Sequence, residues 1–433
     1  MTMGLFFSIL AIILAIGTPV AVLFGGMSFL PSVFDSSFPY SMEYAIRSML
    51  GGLDSFTLLA VPLFVFMGVV LEKSGIAEEL LETMGRLFGR IRGGLAISVV
   101  MVGALLAATT GVVGASVVTM SVIALPVMLK KGYAPSLASG TIAASGTLGQ
   151  IIPPSIILIL LGDVIGVPVG ELFMGAAVPG ILLIVAYMVY IAIIAWRKPE
   201  MAPAIKANQD ETEHLALSVL KSLLPPLALV IAVLGSIFFG VASPTESAAV
   251  GALGAMILAA IHRRLSFANL RDALEKTTRL TSMVFIILIG ATAFGLVFVG
   301  MGGDRLILEL FSNLPGGKWS FIILSMLLVF VLGFFLDFIE ICFIVVPIIA
   351  PVAIHLGLNP LWYALLIALN LQTSFLTPPF GFSLFYLKAS APPELKLQSI
   401  YRGIIPFVAI QLLVLAAMIA FPDVGLWLPT HMK

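Results

Sequence analysis

The stretch from Ile123 to Pro154 reads IALPVMLKKGYAPSLASGTIAASGTLGQIIPP, and its pattern recurs without a gap 225 positions later. The matching residues are Ile123, Pro126, Val127, Gly132, Pro135, Ile142, Ala143, Pro153 and Pro154 in the first copy and Ile348, Pro351, Val352, Gly357, Pro360, Ile367, Ala368, Pro378 and Pro379 in the second. Each copy ends in a Pro-Pro pair inside an apolar segment. Two hydrophobic segments interrupted by proline, one in each half of a chain, are typical of the binding site of a secondary transporter.

The composition indicates a polytopic membrane protein. Of the 433 residues 60% are hydrophobic and 10% are charged, whereas soluble proteins carry about 25% charged residues. The formal net charge of +0 argues against a nucleic-acid partner. The single cysteine, Cys342, excludes an internal disulfide and a multi-cysteine metal site. No phosphate-binding loop, Gly-x-Ser-x-Gly elbow or His-Glu-x-x-His motif occurs, so the sequence predicts no enzyme.

Seven segments are apolar enough to cross a bilayer, which takes about 20 residues. They are Leu5–Phe24, Phe56–Leu71, Phe173–Trp196, Leu220–Gly240, Ala242–Ile261, Leu280–Gly300 and Ile404–Phe421. Because no Lys or Arg precedes the core of the first segment, it is predicted to be a retained span and not a cleaved signal peptide.

Two further apolar regions, 94–129 and 319–354, divide into two arms around a small or polar middle. Arms of about 15 residues cross only part of a bilayer, so we predict two re-entrant helical hairpins; the alternative is two pairs of ordinary spans. The segments that follow, Pro135–Gly162 and Pro360–Leu387, are too long for one straight span. Each is predicted to be a helix broken at its Pro-Pro pair, because proline removes a backbone donor and clashes with the preceding turn.

Basic residues orient the chain. Eighteen of the 22 Lys and Arg residues lie at segment ends that the span count places on one side, which the positive-inside rule assigns to the cytoplasm. The first hairpin therefore enters from the cytoplasm, and the second, between Lys318 and His355, enters from the opposite side. The predicted fold class is an all-α polytopic membrane protein with inverted structural repeats, two re-entrant helical hairpins and two broken helices.

The remaining polar segments and the order of the elements give a predicted division of the chain. Ile76–Ile91 and Ser266–Thr278 mix charge with leucine at helical spacing and are predicted to be amphipathic surface helices, and Met201–His214 is the predicted linker. The predicted division is 1–93 for scaffold helices and a surface helix, 94–170 for the first hairpin and broken helix, 171–318 for further scaffold helices, 319–390 for the second hairpin and broken helix, and 391–433 for the C-terminal helix.

Polar residues cluster at equivalent places in both halves. The first half offers Thr109, Thr110, Gly111, Gly114, Ala115 and Ser116 at its hairpin tip and Ser145, Gly146, Thr147, Gly149 and Gln150 before its prolines; the second offers Asp337 and Glu340 at its tip and Asn370, Gln372, Thr373, Ser374 and Thr377 before its prolines. Backbone breaks within hydrocarbon leave polar groups unpaired unless they line a cavity. Freed carbonyls and hydroxyls suit a hard cation such as Na⁺, and helix N-termini suit an anion. The alternatives are helix packing for the small residues and a hydrated tip for the acids.

The run TGVVGASVVTMSVIALPVMLKKGYAPSLASGTIAASGTLGQIIPP from Thr110 and the run NLQTSFLTPPFG from Asn370 resemble the large membrane subunit of tripartite ATP-independent periplasmic (TRAP) transporters. The resemblance covers nearly the whole chain. It implies Na⁺-coupled uptake of organic acids across the bacterial inner membrane by an elevator fold. It also implies two partners, a periplasmic substrate-binding protein and a separate small four-helix membrane subunit.

The resemblance also implies where ions bind. One Na⁺ site would draw on Thr109, Thr110, Gly111, Ser145 and Thr147, and the other on Asp337, Asn370, Thr373 and Thr377. Many relatives have a serine-rich first tip, whereas this chain has Thr-Thr-Gly-Val-Val-Gly.

The resulting hypothesis is a Na⁺-coupled transporter of a small carboxylate, embedded in membrane lipid. The substrate is predicted to bind between the hairpin tips, at Gly114, Ser116, Gly149, Gln150, Gln372 and Ser374. One alternative is a carboxylate or proton antiporter that needs no binding protein and carries protons on Asp337 or Glu340. If an Asp337→Asn variant retained transport that does not depend on pH, the antiporter would be disfavoured. The other alternative is a channel, which saturable, gradient-coupled uptake would exclude.

Overall fold

The computed structural model describes residues 22–23, 26–27, 55–111, 113–204, 215–312 and 315–432, without the side chains of 109, 110, 215–219, 221 and 312. All regular secondary structure in these ranges is helical, which confirms the all-α fold class. Seven of the described helices are long and apolar enough to cross a membrane. The predicted span Leu5–Phe24 apart from residues 22–23, the side chains of Thr109 and Thr110, and the linker after residue 204 lie outside the described parts.

The first half runs from α1 to α7. A 3-10 turn, Phe56–Leu59, leads into α1 (Ala60–Lys73), followed by α2 (Ile76–Phe88), α3 (Gly94–Thr110), α4 (Val113–Lys130), α5 (Pro135–Thr147), α6 (Ile156–Ile165) and α7 (Val169–Arg197). The second half contains α8 (Leu215–Phe238), α9 (Pro244–Ile261), α10 (Phe267–Gly300), α11 (Gly303–Ser312), α12 (Lys318–Leu332), α13 (Phe338–His355, with a π-helical turn at Ile341–Val345), α14 (Pro360–Leu376), α15 (Phe382–Ser390), α16 (Leu397–Ala420) and α17 (Asp423–His431).

The predicted surface segments form helices, but only one of them is separate. The helix α2 begins after Gly75, whose φ of 74° is left-handed, and it ends at Phe88. The segment Ser266–Thr278 instead continues without interruption into the apolar part of α10, a helix of 34 residues. No glycine or proline separates the amphipathic part from the apolar part, so nothing local ends the helix there.

Both predicted hairpins are helix–turn–helix units. The arms of the first are 17 and 18 residues long and those of the second 15 and 18 residues, counting α13 as one helix. The second arm of each, α4 and α13, is therefore longer than the sequence predicted and reaches the length of a membrane span. Re-entry of the hairpins stays a prediction.

Both predicted helix breaks are present. The helix α5 gives way to a 3-10 turn, Leu148–Gln150, and α6 begins only at Ile156; likewise α14 ends at Leu376 and α15 begins at Phe382. The order of hairpin, helix, break and helix is thus the same in both copies. The opposite orientation of the copies stays a prediction.

Helix packing brings the two hairpins and the two broken helices together. The helix α5 packs against α3, α4 and α16, while α14 packs against α6, α12 and α16. Elsewhere α1 packs against α9 and α10, and an ion pair between Lys73 and Asp272 joins α1 to the amphipathic start of α10. The domain division predicted from the sequence stays a prediction.

Candidate transport site

The first hairpin tip rests directly on the first helix break. Gly111 ends α3 with a left-handed φ of 59°, and its N–H donates to the Ala107 carbonyl at 3.1 Å. A Cβ atom on Gly111 would lie 3.1 Å from the side chain of Ile156, the first residue of α6. A Cβ atom on Gly149 would lie 3.1 Å from the Ala107 oxygen. Glycine at both places allows the tip and the broken backbone to touch.

The second tip makes the same kind of contact through different residues. Gly333 follows α12, and a Cβ atom there would overlap the Ser374 hydroxyl on α14. Asp337 caps the N-terminus of α13 by accepting from the Phe338 N–H at 2.7 Å, and Glu340 accepts from the Asp337 N–H at 3.1 Å. Both carboxylates are partly buried. They occupy the helix N-terminus, where unpaired N–H groups favour negative charge.

A cavity of about 90 Å³ lies between the two tips. The Tyr386 ring on α15 packs over Gly114, where a Cβ atom would lie 3.0 Å from a ring carbon. Asp337 is the one charged side chain among the described residues that line this cavity. The lining residues are Val65, Val113, Gly114, Ile156, Leu280, Met283, Val284, Asp337, Phe338, Ile339, Phe375 and Tyr386. The hairpin tips of the two halves therefore face one space.

Five hydroxyls, four of predicted Na⁺ ligands and one of the predicted substrate residue Ser374, share one hydrogen-bonding pattern: each donates its proton to a carbonyl three or four residues earlier in the chain. A hydroxyl used in this way keeps lone pairs for a cation. The bonds are Ser145 to Ile142 at 3.1 Å, Thr147 to Ala144 at 2.8 Å, Thr373 to Leu369 at 2.9 Å, Ser374 to Leu371 at 2.9 Å and Thr377 to Thr373 at 2.7 Å. Asn370 donates through its amide nitrogen to the Met326 carbonyl at 2.7 Å, which orients its oxygen as an acceptor. This donor set fits a hard cation.

The structure does not place every predicted ligand on one face. Ser145 packs against Gly103 of α3, where a Cβ atom would lie 2.6 Å from that of the serine. Thr147 instead lies 3.5 Å from the Gln411 amide nitrogen of α16. Residues two apart in a helix point about 200° apart. One ion can therefore contact only one of these two hydroxyls.

Each broken helix carries one buried glutamine, and neither glutamine is among the residues that line the cavity between the tips. Gln150 lies in the turn after α5 and Gln372 lies in α14, and both side chains have an exposed fraction of 0%. Within the described ranges, neither the amide oxygen nor the amide nitrogen of either residue has a hydrogen-bond partner. An unpaired buried amide costs roughly 1–3 kcal/mol, so side chains of this kind are expected to meet a polar ligand or water. Ser116, also a predicted substrate residue, is 1% exposed.

Sequence reasoning missed two serines that hold the breaks. Ser155 donates to the carbonyl of Gln150 at 2.8 Å, and Ser383 donates to the carbonyl of Phe375 at 2.7 Å. Gln150 and Phe375 occupy equivalent positions, 225 residues apart. The sequence signal for this role is a serine shortly after each Pro-Pro pair.

Comparison with known proteins gives consistent matches along the chain. Residues 7–424 match the family model described as the tripartite ATP-independent periplasmic transporter, DctM component. The sialic acid TRAP transporter large permease SiaM of Vibrio cholerae is 30% identical over 90% of this chain and 90% of its own length. The C4-dicarboxylate TRAP transporter large permease DctM of Pseudomonas aeruginosa is 31% identical over 87% of each. In fold, the chain is similar to the YdaH transporter of Alcanivorax borkumensis, with a TM-score of 0.63 at 16% identity over 90% of this chain and 89% of that one.

Proposed function

The chain belongs to the DctM-component family of TRAP transporters, multi-pass permeases that carry organic acids by secondary transport, and we propose that it drives inward transport of a small carboxylate with Na⁺. In this proposal the two hairpins and two broken helices form a transport domain that moves against the remaining helices. The proposed location is the bacterial inner membrane. The proposed cargo belongs to the organic acids named for the relatives.

The observation that carries the proposal is the pair of unpartnered amides, Gln150 and Gln372. One lies in each broken helix, and the break of each helix lies against a hairpin tip. An amide both donates and accepts, so each can bind a carboxylate or a hydroxyl of the cargo. A bound substrate would give these two buried amides hydrogen-bond partners. The gain in hydrogen bonding would favour substrate binding beside the helix breaks.

Na⁺ has a defined part in the proposal. The cavity between the tips contains the Asp337 carboxylate and no described basic side chain. An anionic cargo near that carboxylate is repelled unless a cation lies between them. Na⁺ at the tips, held by Asp337 and by hydroxyl and carbonyl oxygens of the breaks, would remove the repulsion. We therefore expect substrate affinity to be low when Na⁺ is absent.

Two protein partners complete the proposal. Large permeases of this family work with a periplasmic binding protein and a small membrane subunit, as the family description implies. For this chain we propose delivery of cargo by such a binding protein and assembly with a separate four-helix subunit.

The test is uptake in proteoliposomes that contain the permease with its small subunit. Uptake of labelled sialic acid, a C4-dicarboxylate and other carboxylates is measured with and without binding protein, under an inward Na⁺ or K⁺ gradient. We expect uptake that saturates, needs the binding protein and requires the Na⁺ gradient.

The ion gradients separate the alternatives. Equal uptake in Na⁺-free buffer would overturn Na⁺ coupling, while uptake driven by a pH gradient alone would favour the antiporter. Uptake that never saturates would favour the channel.

A further inference from the structure

Gln411 is a buried amide that the transport site described above does not use. It lies in α16, outside both sequence copies, and its exposed fraction is 0%. Its amide oxygen has no hydrogen-bond partner in the part of the chain that the structure describes. Burying a polar side chain in the middle of an apolar helix such as α16 costs free energy, so such a side chain is expected to make contacts that serve folding or function.

Small residues bring α16 against the broken helix α5. A Cβ atom on Gly403 would overlap the carbonyl oxygen of Ser136, and a Cβ atom on Gly140 would overlap the carbonyl oxygen of Gly403. From this contact Thr147 lies seven residues further along α5, and Gln411 lies eight residues further along α16. At 1.5 Å per residue these steps are about 10 and 12 Å. The two helices therefore run in the same direction, and both side chains lie at the same level.

The contact between Gln411 and Thr147 has a defined direction. The Gln411 amide nitrogen lies 3.5 Å from the Thr147 hydroxyl oxygen. The hydroxyl proton is already donated to the Ala144 carbonyl at 2.8 Å. Gln411 is therefore the donor and Thr147 the acceptor. The contact joins α16 to the last residue of α5, directly before the helix breaks.

A tyrosine on a third helix, α7, packs close to this contact. Tyr187 of α7 is fully buried, and its ring packs edge-on against Phe407, with centroids 5.1 Å apart. Phe407 lies one helical turn before Gln411. Among the described residues, the Tyr187 hydroxyl has no hydrogen-bond partner. The three helices α5, α7 and α16 thus pack together near the end of α5.

We propose that Gln411 is a positioning residue of the first half of the transport site. It holds the last turn of α5 through Thr147, and so fixes the carbonyl oxygens that the break frees for the ion. The inference rests on the proposed Na⁺ coupling. It assigns a role in ion binding to α16, a helix that contributes no ligand predicted from the sequence.

The test is the Na⁺ dependence of uptake by a Gln411→Leu variant. Leucine has a similar volume and cannot donate, so the last turn of α5 loses its anchor. We expect the Na⁺ concentration for half-maximal uptake to rise by about 10–100-fold, the usual cost of losing a partner that orients an ion ligand. Half-saturation by substrate at saturating Na⁺ should stay within about twofold of the parent value, because the contact made by Gln411 is to Thr147.

A double-mutant cycle tests whether Gln411 acts through the Thr147 hydroxyl. Thr147→Val removes the hydroxyl that accepts from Gln411. If Gln411 acts through that hydroxyl, adding Gln411→Leu to the Thr147→Val variant should not raise the Na⁺ requirement further. Gln398→Leu is the matched control, since Gln398 is exposed on the same helix. Gln411→Met replaces the leucine variant if that protein does not reach the membrane.

The outcomes separate this inference from the function on which it rests. A parent protein whose uptake ignores Na⁺ would overturn both. Na⁺-dependent parent uptake together with an unchanged Na⁺ titration for Gln411→Leu would overturn the inference alone. A variant that loses only thermal stability would also overturn it, by showing that Gln411 serves helix packing.

Discussion

The two broken helices share their architecture and differ in chemistry. In the first, Gln150 lies in the turn after the helix, and its equivalent in the second is Phe375. In the second, Gln372 lies within the helix, and its equivalent in the first is Thr147. Each break therefore carries one long amide, but at a different position. The charge is unequal too, because the described acids of the two tips, Asp337 and Glu340, both belong to the second.

The close contact between tip and break is also made differently. In the first half glycines come from both sides, Gly149 of the break against Ala107 and Gly111 of the hairpin tip against Ile156. In the second half the hairpin supplies the glycine, Gly333, against Ser374 of the break. The contact is the common feature, and either side can provide the glycine. We infer that the halves contribute unequally to ion and substrate binding although their backbones correspond.

The largest expected effect concerns the charge of the second tip. Asp337→Asn removes the one charged group of the described cavity lining, and we expect the Na⁺ concentration for half-maximal uptake to rise by about 100-fold or more. Loss of a residue that only orients a ligand costs about 10–100-fold, and a direct anionic ligand should cost at least the upper value. Na⁺ titration of uptake in proteoliposomes measures it.

Glu340→Gln is the control for this variant. The amide oxygen of glutamine can still accept from the Asp337 N–H, so the helix cap is kept and the Na⁺ titration should change much less. If the Na⁺ titration of uptake by Asp337→Asn matched that of the parent protein, the unequal charge of the two tips would have no part in Na⁺ binding.

A smaller effect is expected from the two amides. Gln150→Leu and Gln372→Leu should each raise the substrate concentration for half-maximal uptake by about tenfold, equivalent to about 1.4 kcal/mol for a lost hydrogen bond. Thermal unfolding without substrate should occur at an equal or higher temperature, because an unpaired buried amide is removed.

The double variant tests whether the amides share a ligand. If both contact one cargo molecule, the combined effect should differ from the sum of the single effects. A lower unfolding temperature with unchanged half-saturation would assign both residues to helix packing instead.

Local signals explain how much of this arrangement was predictable. Hydropathy and the two Pro-Pro pairs act within a few residues, and they predicted the helices and both breaks correctly. The lengths of α4 and α13 and the continuity of α10 depend on where helices stop without a breaker, and there the predictions were wrong. Gln411 and Tyr386 gave no signal because their roles depend on which helices pack together. Composition along one helix contains no information on its neighbours.

A further comparison uses the two glycine contacts. Gly333→Ala places a methyl group against the Ser374 hydroxyl, and we expect a loss of about 1–3 kcal/mol from overpacking. Ser374→Ala in the same chain should recover part of the loss, because the crowded atom is a side-chain oxygen. Gly149→Ala crowds the backbone oxygen of Ala107, so no side-chain change should rescue it. Thermal unfolding in detergent measures all three variants. A failure of Ser374→Ala to recover any of the loss would show that the Ser374 hydroxyl is not the atom that Gly333 accommodates.

The smallest expected effect is a loss of stability that should be nearly equal at the two helix breaks. Ser155→Ala and Ser383→Ala each remove a buried donor to the carbonyl that precedes the break, and each should lower the free energy of unfolding by about 1 kcal/mol. Ser139→Ala is the matched control: its hydroxyl donates to the Pro135 carbonyl within a regular helix, where a backbone N–H can serve the same acceptor. We therefore expect the control to change stability by less than either break variant. Unequal losses at the two breaks, or a loss no greater than that of the control, would show that the serines do not hold the two broken backbones in a common way.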